Sequence, residues 1–316
     1  MTLINMTNGR DDSRRDRWVA YVQALQDRIC AAVEVADGVA RFREDHWQRA
    51  GGEGGGGKTR TIAGGEVFEK GGVNTSVVYG PVTDAMRKAL QMEGHTWFAC
   101  GLSLVLHPLN PFVPTVHANW RYFEIYDGER LVAERWFGGG CDLTPYYLFE
   151  DDAHHFHGML KAAIDPFGEE LYPMYKKECD HYFVNKHRGD EARGIGGVFY
   201  EHLQPADDED WERLFSFQQA NGDQFIPAYM PIVSRRKDMP WLPEHKYWQE
   251  IRRGRYVEFN LVHDRGTLFG LKTDGRTESI LMSLPPTVRF EYDHQPQPGS
   301  PEEQLLTVCR HPVDWV

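Results

Sequence analysis

The part of the chain that most restricts its fold is residues 95–137. There "WFACGLSLVLH", "TVHANWRYFEIYD" and "RLVAERWF" follow one another, rich in aromatic and β-branched residues, with turn residues between them, including Asp127-Gly128. Such short segments, joined by tight turns, predict a meander of antiparallel strands. Helical patterns flank them. Trp18, Val22, Leu25, Ile29 and Val33 recur at helical spacing over residues 14–35. Further helices are expected at about 151–164, 168–187, 208–220 and 243–252, with strands at 255–263 and 267–272 joined by the "DRG" turn. Strands and helices come in blocks without βαβ alternation, which points to an α+β fold built on a mainly antiparallel sheet.

No repeat and no Pro/Ser-rich linker divides the 316 residues, a length that suits one large domain. Within it, residues 1–50 read as an N-terminal helix and arm. The glycine-rich residues 51–75, with "GGEGGGGKTR" and "FEKGG", read as a mobile loop or flap over a site. A net charge of −12 argues against general nucleic-acid binding. No apolar run approaches the roughly 18 residues of a membrane span. The first residues lack the apolar core of a signal peptide, and five scattered cysteines without a C-x-x-C pair suggest reduced thiols; both favour a cytoplasmic protein.

Chemistry-bearing residues gather in a few places. "HPLNPFVPTVHANWRYFE" sets His117, Asn119 and Arg121 at every second position, so in a strand they share a face over about 14 Å, with Trp120 on the other face. Alternation alone also describes a solvent-facing strand, but the prolines before it hold a stiff approach that such a strand does not need. "WFGGGCDLTPYY" places three glycines before Asp142, allowing close approach to a flat or bulky ligand; Asp142 fits either a turn or a site. There is neither a P-loop nor a dinucleotide fingerprint. His154, His155, His157 and His187 match no recognised ligand spacing and read more readily as structural than as metal-binding. Arg252, Arg253, Arg255, Arg265, Lys272 and Arg276 crowd one stretch of an otherwise acidic chain, which suits an anionic small molecule or a solvated rim.

Taken together, "SLVLHPLNPFVPTVHANWRYFE", "WFGGGCDLTPYY", "YKKECDHYF", "HRGDEARGIGG", "RRGRYVEFNLVHDRGTLFGL" and "TESILMSLPP" resemble the oxygen-dependent coproporphyrinogen III oxidases. The resemblance runs from near residue 71 to the closing "HPVDWV"; it departs at His263, at Phe290 and in "TDGR" at 273–276. It implies a sheet of about seven strands sandwiched between helical layers, a homodimer, and the conversion of two propionates of coproporphyrinogen III to vinyls. Molecular oxygen would be the co-substrate, with no organic redox cofactor. The resemblance also implies His117, Asp142 and Arg121 as catalytic residues, with Asp142 accepting hydrogen bonds from pyrrole N–H groups. Ser103, Asn119, Trp120, Arg121, Asp264, Arg265, Asp274, Gly275 and Arg276 would bind substrate, the arginines needing no acidic protein partner. In bacterial members it implies a divalent metal on His107, His117, His157 and His187. A non-catalytic tetrapyrrole carrier, or a histidine–metal oxygenase for another small molecule, is the competing class.

Overall fold

A computed structural model describes residues 12–49, 54–84, 87, 94–128, 130–272 and 275–316. Helix α1 (Asp12–Asp37) leads into strands β1 (Arg43–Gln48), β2 (Gly55–Ala63), β3 (Phe68–Pro81), β4 (Thr96–Pro108), β5 (Thr115–Asp127) and β6 (Arg130–Thr144). Helices α2 (Glu150–Ile164) and α3 (Leu171–Tyr182) follow, then the two-residue strands β7 (Val184–Asn185) and β8 (Glu191–Ala192), and β9 (Gly196–Leu203). The rest is helical: α4 (Asp208–Asp223), α5 (Phe225–Arg236), α6 (Pro243–Val262), α7 (Arg265–Lys272), α8 (Thr277–Leu281) and α9 (Pro301–Arg310). The expected α+β arrangement is present. One seven-stranded sheet, β1-β2-β3-β4-β5-β6-β9, is antiparallel at every step.

Period-two alternation gives this sheet two unlike faces. Leu102, Leu104, Leu106, Val116, Ala118, Trp120, Tyr122 and Phe137 point to one side and are buried with Trp18, Val22 and Leu25 of α1, Trp211 and Phe215 of α4, and Phe225 and Tyr229 of α5. Burying each of these large side chains contributes about 1.5–3 kcal/mol. Trp18 also donates its indole N–H to the Cys100 carbonyl at 3.0 Å, fixing α1 on the sheet. The opposite face carries polar and small residues over its middle and the stacked rings of Trp97, Phe123 and Trp136 at one end; α6 to α8 lie over it.

Two sequence expectations are corrected. The described part of residues 51–75 is not a flap: residues 55–63 and 68–81 form the β2–β3 hairpin, and 51–53 lie outside the described residues. Its glycines answer a need for closeness. A Cβ on Gly56 would stand 2.1 Å from the Trp47 carbonyl oxygen, and one on Gly57 2.4 Å from that of Thr75. The hairpin turn is held by Asp37, whose carboxylate accepts from the backbone N–H groups of Val67 (3.0 Å) and Phe68 (2.9 Å). The strands expected at 255–263 and 267–272 are helices α6 and α7. The β-branched and aromatic residues of "RYVEFNLV" sit on a longer helical pattern in which Trp248, Arg252, Tyr256 and Phe259 are buried at steps of four and three. Tertiary burial on that stripe outweighs local strand preference.

Candidate active site

The polar face of the sheet is organised in transverse rows, because antiparallel partners oppose one another across every strand. One row reads Asp45, Thr59, Asn74, Ser103, Asn119, Gly140, Phe199 from β1 to β9. The next reads Gly72, Val105, His117, Asp142, and a third Gly57, Ser76, Gly101, Arg121, Gly138. The central strands thus offer a floor of glycine, serine and asparagine from which His117 and Arg121 rise. Gly138 gives Arg121 its room, since a Cβ there would stand 3.0 Å from the Arg121 Nε.

Hydrogen bonds link these side chains along β5. The His117 Nδ1 lies 2.7 Å from the Asp142 Oδ1, so that nitrogen carries the proton it donates to the carboxylate, and Nε2 is the free acceptor, 3.5 Å from the Asn119 Nδ2. Asn119 Oδ1 accepts from Arg121 Nη1 at 2.7 Å. Arg121 Nη2 then donates to Glu201 of β9, whose other oxygen accepts from Arg265 Nη2 at 2.6 Å. One continuous chain runs from a buried carboxylate to an open pair of arginines.

Asp142 stands differently from the expectation. It is 2% exposed, and Arg193 grips both its oxygens: Nε to Oδ2 at 3.1 Å, and Nη2 to Oδ1 at 2.9 Å and Oδ2 at 3.0 Å. A pyrrole N–H would have to compete with Arg193 and His117 for these oxygens. Burial pushes its pKa up, but Arg193 and His117 outweigh burial and hold it below the usual carboxylate range. Arg193 is buried too, packed over the rings of Phe183 (4.1 Å), Tyr256 (4.8 Å) and Phe259 (5.0 Å), and donates to Asn260 Oδ1 at 2.9 Å. Neither Arg193 nor Glu201 stood out in the sequence. Both lie in the segment that spans "HRGDEARGIGG" and "VFYEH", where an arginine among glycines was the available signal.

The other expected substrate residues are spread across the face. Ser103 is exposed on the floor between Asn74 and Asn119. Arg265 lies over the Tyr182 ring at 4.6 Å. Arg276 donates to Asp45 at 2.5 Å and to Ser279 Oγ at 3.2 Å at the β1 edge, four strands from Arg121 and hence about 19 Å away. Arg121, Arg265 and Arg276 each have an acidic partner, Glu201 for the first two and Asp45 for the third. In a chain with 47 Asp and Glu against 35 Lys and Arg, an arginine without a nearby carboxylate is hard to arrange. Arg252, Arg253 and Arg255 of the same stretch instead serve the structure, paired with Glu191, Glu69 and Glu258.

Trp120 is corrected outright. It is 1% exposed on the opposite face, edge-on to Phe225, because one residue along a strand reverses direction. Asp264 is occupied in capping α7, accepting from Thr267 N (2.8 Å), Thr267 Oγ1 (2.7 Å) and Tyr182 Oη (2.9 Å). Gly275 closes the turn after α7 through its N–H to the Gly270 carbonyl at 2.8 Å. Asp274 lies outside the described residues.

The four expected metal-binding histidines do not converge. His107 is buried between Thr115 Oγ1 (3.1 Å) and the Ser283 carbonyl (2.8 Å), and His157 between Tyr172 Oη (2.8 Å) and the Ile195 carbonyl (3.1 Å). His187 is at the surface with His263 (2.8 Å) and Glu258 (2.9 Å), while His117 holds Asp142. Each of the first three already has both ring nitrogens engaged, and among the described residues no three His, Cys, Asp or Glu side chains form a ligand cluster. A divalent metal on this histidine set does not fit. Burial drives both His107 and His157 down to about 3, so they are neutral structural groups.

Residues 17–315 match the family model described as coproporphyrinogen III oxidase. The chain is 52% identical over 314 residues to the oxygen-dependent coproporphyrinogen-III oxidase, chloroplastic, of Glycine max, covering 96% of this chain and 80% of that one. It is 50% identical over 323 residues to the protein of the same name from Nicotiana tabacum (99% and 80%), and 51% identical over 314 residues to coproporphyrinogen-III oxidase 1, chloroplastic, of Arabidopsis thaliana (96% and 80%). The match begins well before residue 71, so α1 and the β1–β2 edge are included in it. With nearly its whole length matched and half its residues shared, the chain belongs to the coproporphyrinogen III oxidase family.

Proposed function

We propose that this chain is an oxidoreductase of haem biosynthesis that converts the ring A and B propionates of coproporphyrinogen III to vinyls, giving protoporphyrinogen IX. For each arm, R–CH2CH2COOH and O2 become R–CH=CH2, CO2 and H2O2, which balances atoms and passes two electrons to oxygen. The observation that carries the reading is the hydrogen-bonded line from Asp142 through His117, Asn119 and Arg121 to Glu201 and Arg265 on a floor of small residues. A tetracarboxylate tetrapyrrole is broad and flat. It suits a floor with Arg121 and Arg265 toward one end and Arg276 about 19 Å away toward the other, where guanidinium forks hold carboxylates.

His117 is the proton-transfer group. Its Nδ1–H is fixed on Asp142, so Nε2 is the position at which a proton is taken from or given to the reacting pyrrole or the reduced oxygen. Arg193 and Asp142 are positioning residues that act through His117. Ser103 and Asn119 offer neutral acceptors for pyrrole N–H groups. The aromatic wall of Tyr182, Phe183 and Phe199 excludes water beside His117; Tyr182 and Phe199 are stacked at 4.4 Å.

We read the protein as one domain, a homodimer, and resident in a reducing compartment, the cytoplasm. The buried free thiols of all five cysteines support the compartment, and no described helix is long and apolar enough to cross a membrane. The test is turnover: coproporphyrinogen III in air must yield protoporphyrinogen IX, with equimolar CO2 and peroxide per arm. Binding of the tetrapyrrole without oxygen consumption would refute the activity.

A further inference from the structure

We propose that Glu201 is an internal stand-in for a substrate carboxylate: it fills the seat between Arg121 and Arg265 and is exchanged for a propionate each time one docks. The inference rests on the functional reading above and adds a specificity device to it.

The placement of Glu201 is built by a β-bulge. Phe137 faces Leu203 and Gly139 faces Tyr200, so the two residues Glu201 and His202 together oppose Gly138. His202 absorbs the extra residue in the left-handed region (φ 53°), a conformation that costs a non-glycine residue about 1 kcal/mol or more, and its ring packs on Trp136 at 5.1 Å. Bulges of this kind re-aim a side chain, and here the side chain is aimed at two arginines from separate elements.

Both arginines are held by other groups as well. Arg121 is tied to Asn119 Oδ1, and Arg265 lies over Tyr182. They therefore keep their places when Glu201 leaves. This cluster is also open where the structural pairs are closed. Arg252 with Glu191 is 1% and 6% exposed, whereas Arg121, Glu201 and Arg265 are 39%, 28% and 63% exposed. An open, two-armed clasp on one carboxylate is a seat from which that carboxylate can be displaced.

Exchange of one carboxylate for another keeps one negative charge between the two arginines before and after docking, and releases Glu201, which is 28% exposed, toward solvent. An arm that has lost its carboxylate as CO2 cannot hold the clasp, and Glu201 returns to it. Glu201 thus weakens binding of the tetracarboxylate, penalises arms without a carboxylate, and hastens release of the decarboxylated arm.

The experiment compares the full-length protein with Glu201→Gln, and with Glu201→Ala as a second variant, folding being checked by urea unfolding. The probes are oxidised coproporphyrin III, a tetracarboxylate that does not turn over, and its tetramethyl ester. Loss of two partly exposed ion pairs should tighten binding of the tetracarboxylate about three- to ten-fold and leave the ester unchanged. KM for coproporphyrinogen III should fall in the same proportion, with kcat equal or lower. Unchanged or weaker binding of the tetracarboxylate by both variants would overturn the proposal and make Glu201 a support for the arginines. The binding comparison judges Glu201 without turnover, so absence of turnover in the unsubstituted protein would refute the assigned activity separately.

Discussion

Replacing Arg193 by methionine tests the electrostatic design of the site most directly. Methionine keeps contact with the Phe183, Tyr256 and Phe259 rings, so the change removes mainly charge and hydrogen bonds. Three N···O contacts of 2.9–3.1 Å between Arg193 and Asp142, side chains that are each 2% exposed, disappear, along with one of 2.9 Å to Asn260. Breaking a buried pair in this way costs about 3–5 kcal/mol, because the remaining carboxylate is uncompensated. The pH dependence has a definite sign. In the unsubstituted protein the folded Asp142 pKa lies below its unfolded value of about 3.9, so its contribution is present above that pH and lost as pH falls through the folded value. In Arg193→Met burial prevails and the folded pKa rises above the unfolded one; the ionised group then destabilises at neutral pH, and acidification relieves it. Urea unfolding at pH 7.5, 6 and 5 should show the gap between the two proteins narrowing toward acid. Adding Asp142→Asn should recover at least about 1 kcal/mol of the loss, the size expected for coupled neighbours. Turnover should fall by about 10²-fold as His117 loses its fixed orientation. A loss below about 1 kcal/mol at pH 7.5, or a double variant no more stable than Arg193→Met, would refute the argument.

Three further outcomes are expected. His107 and His157, held near 3 against about 6.5 when unfolded, make the fold lose stability as pH drops below 6.5, by about 2 kcal/mol each at pH 5; in His157→Gln the decline of the urea midpoint between pH 8 and 5 should be shallower, and an equal decline would count against the buried neutral imidazole. Gly138→Ala brings a Cβ within 3.0 Å of the Arg121 Nε and should raise KM for the tetrapyrrole while leaving the unfolding free energy within about 1 kcal/mol of the original; a normal KM would show that Arg121 does not hold substrate in this position. His187→Gln removes a surface imidazole engaged with His263 and Glu258, so bound-metal content and turnover should both be unchanged, and parallel loss of the two would restore the histidine-metal reading.

Much of the site was legible because a strand has a period of two. His117, Asn119 and Arg121 had to share a face whatever the strand paired with, and the same rule placed Trp120 on the other one. Block-wise grouping of strands and helices was enough for the α+β class. Glycine was less legible. The same residue type serves looseness and tight backbone approach, and residues 55–63 turned out to need the second. Residues 255–262 misled for a related reason, since their aromatic and β-branched composition suits a strand while their burial stripe suits a helix.

The sequence by itself determined which side chains lie side by side along one strand, since those neighbours are set by backbone geometry within a few residues. Tertiary structure alone decided who stands opposite them. Arg193 reaches Asp142 across 51 residues of sequence, Glu201 reaches Arg121 across 80, and His107, His157 and His187 go to three separate surroundings. Those encounters depend on strand pairing, on the bulge at His202 and on the helices over the sheet. All of these are long-range choices made by burial of the opposite, apolar face rather than by the polar residues that end up meeting.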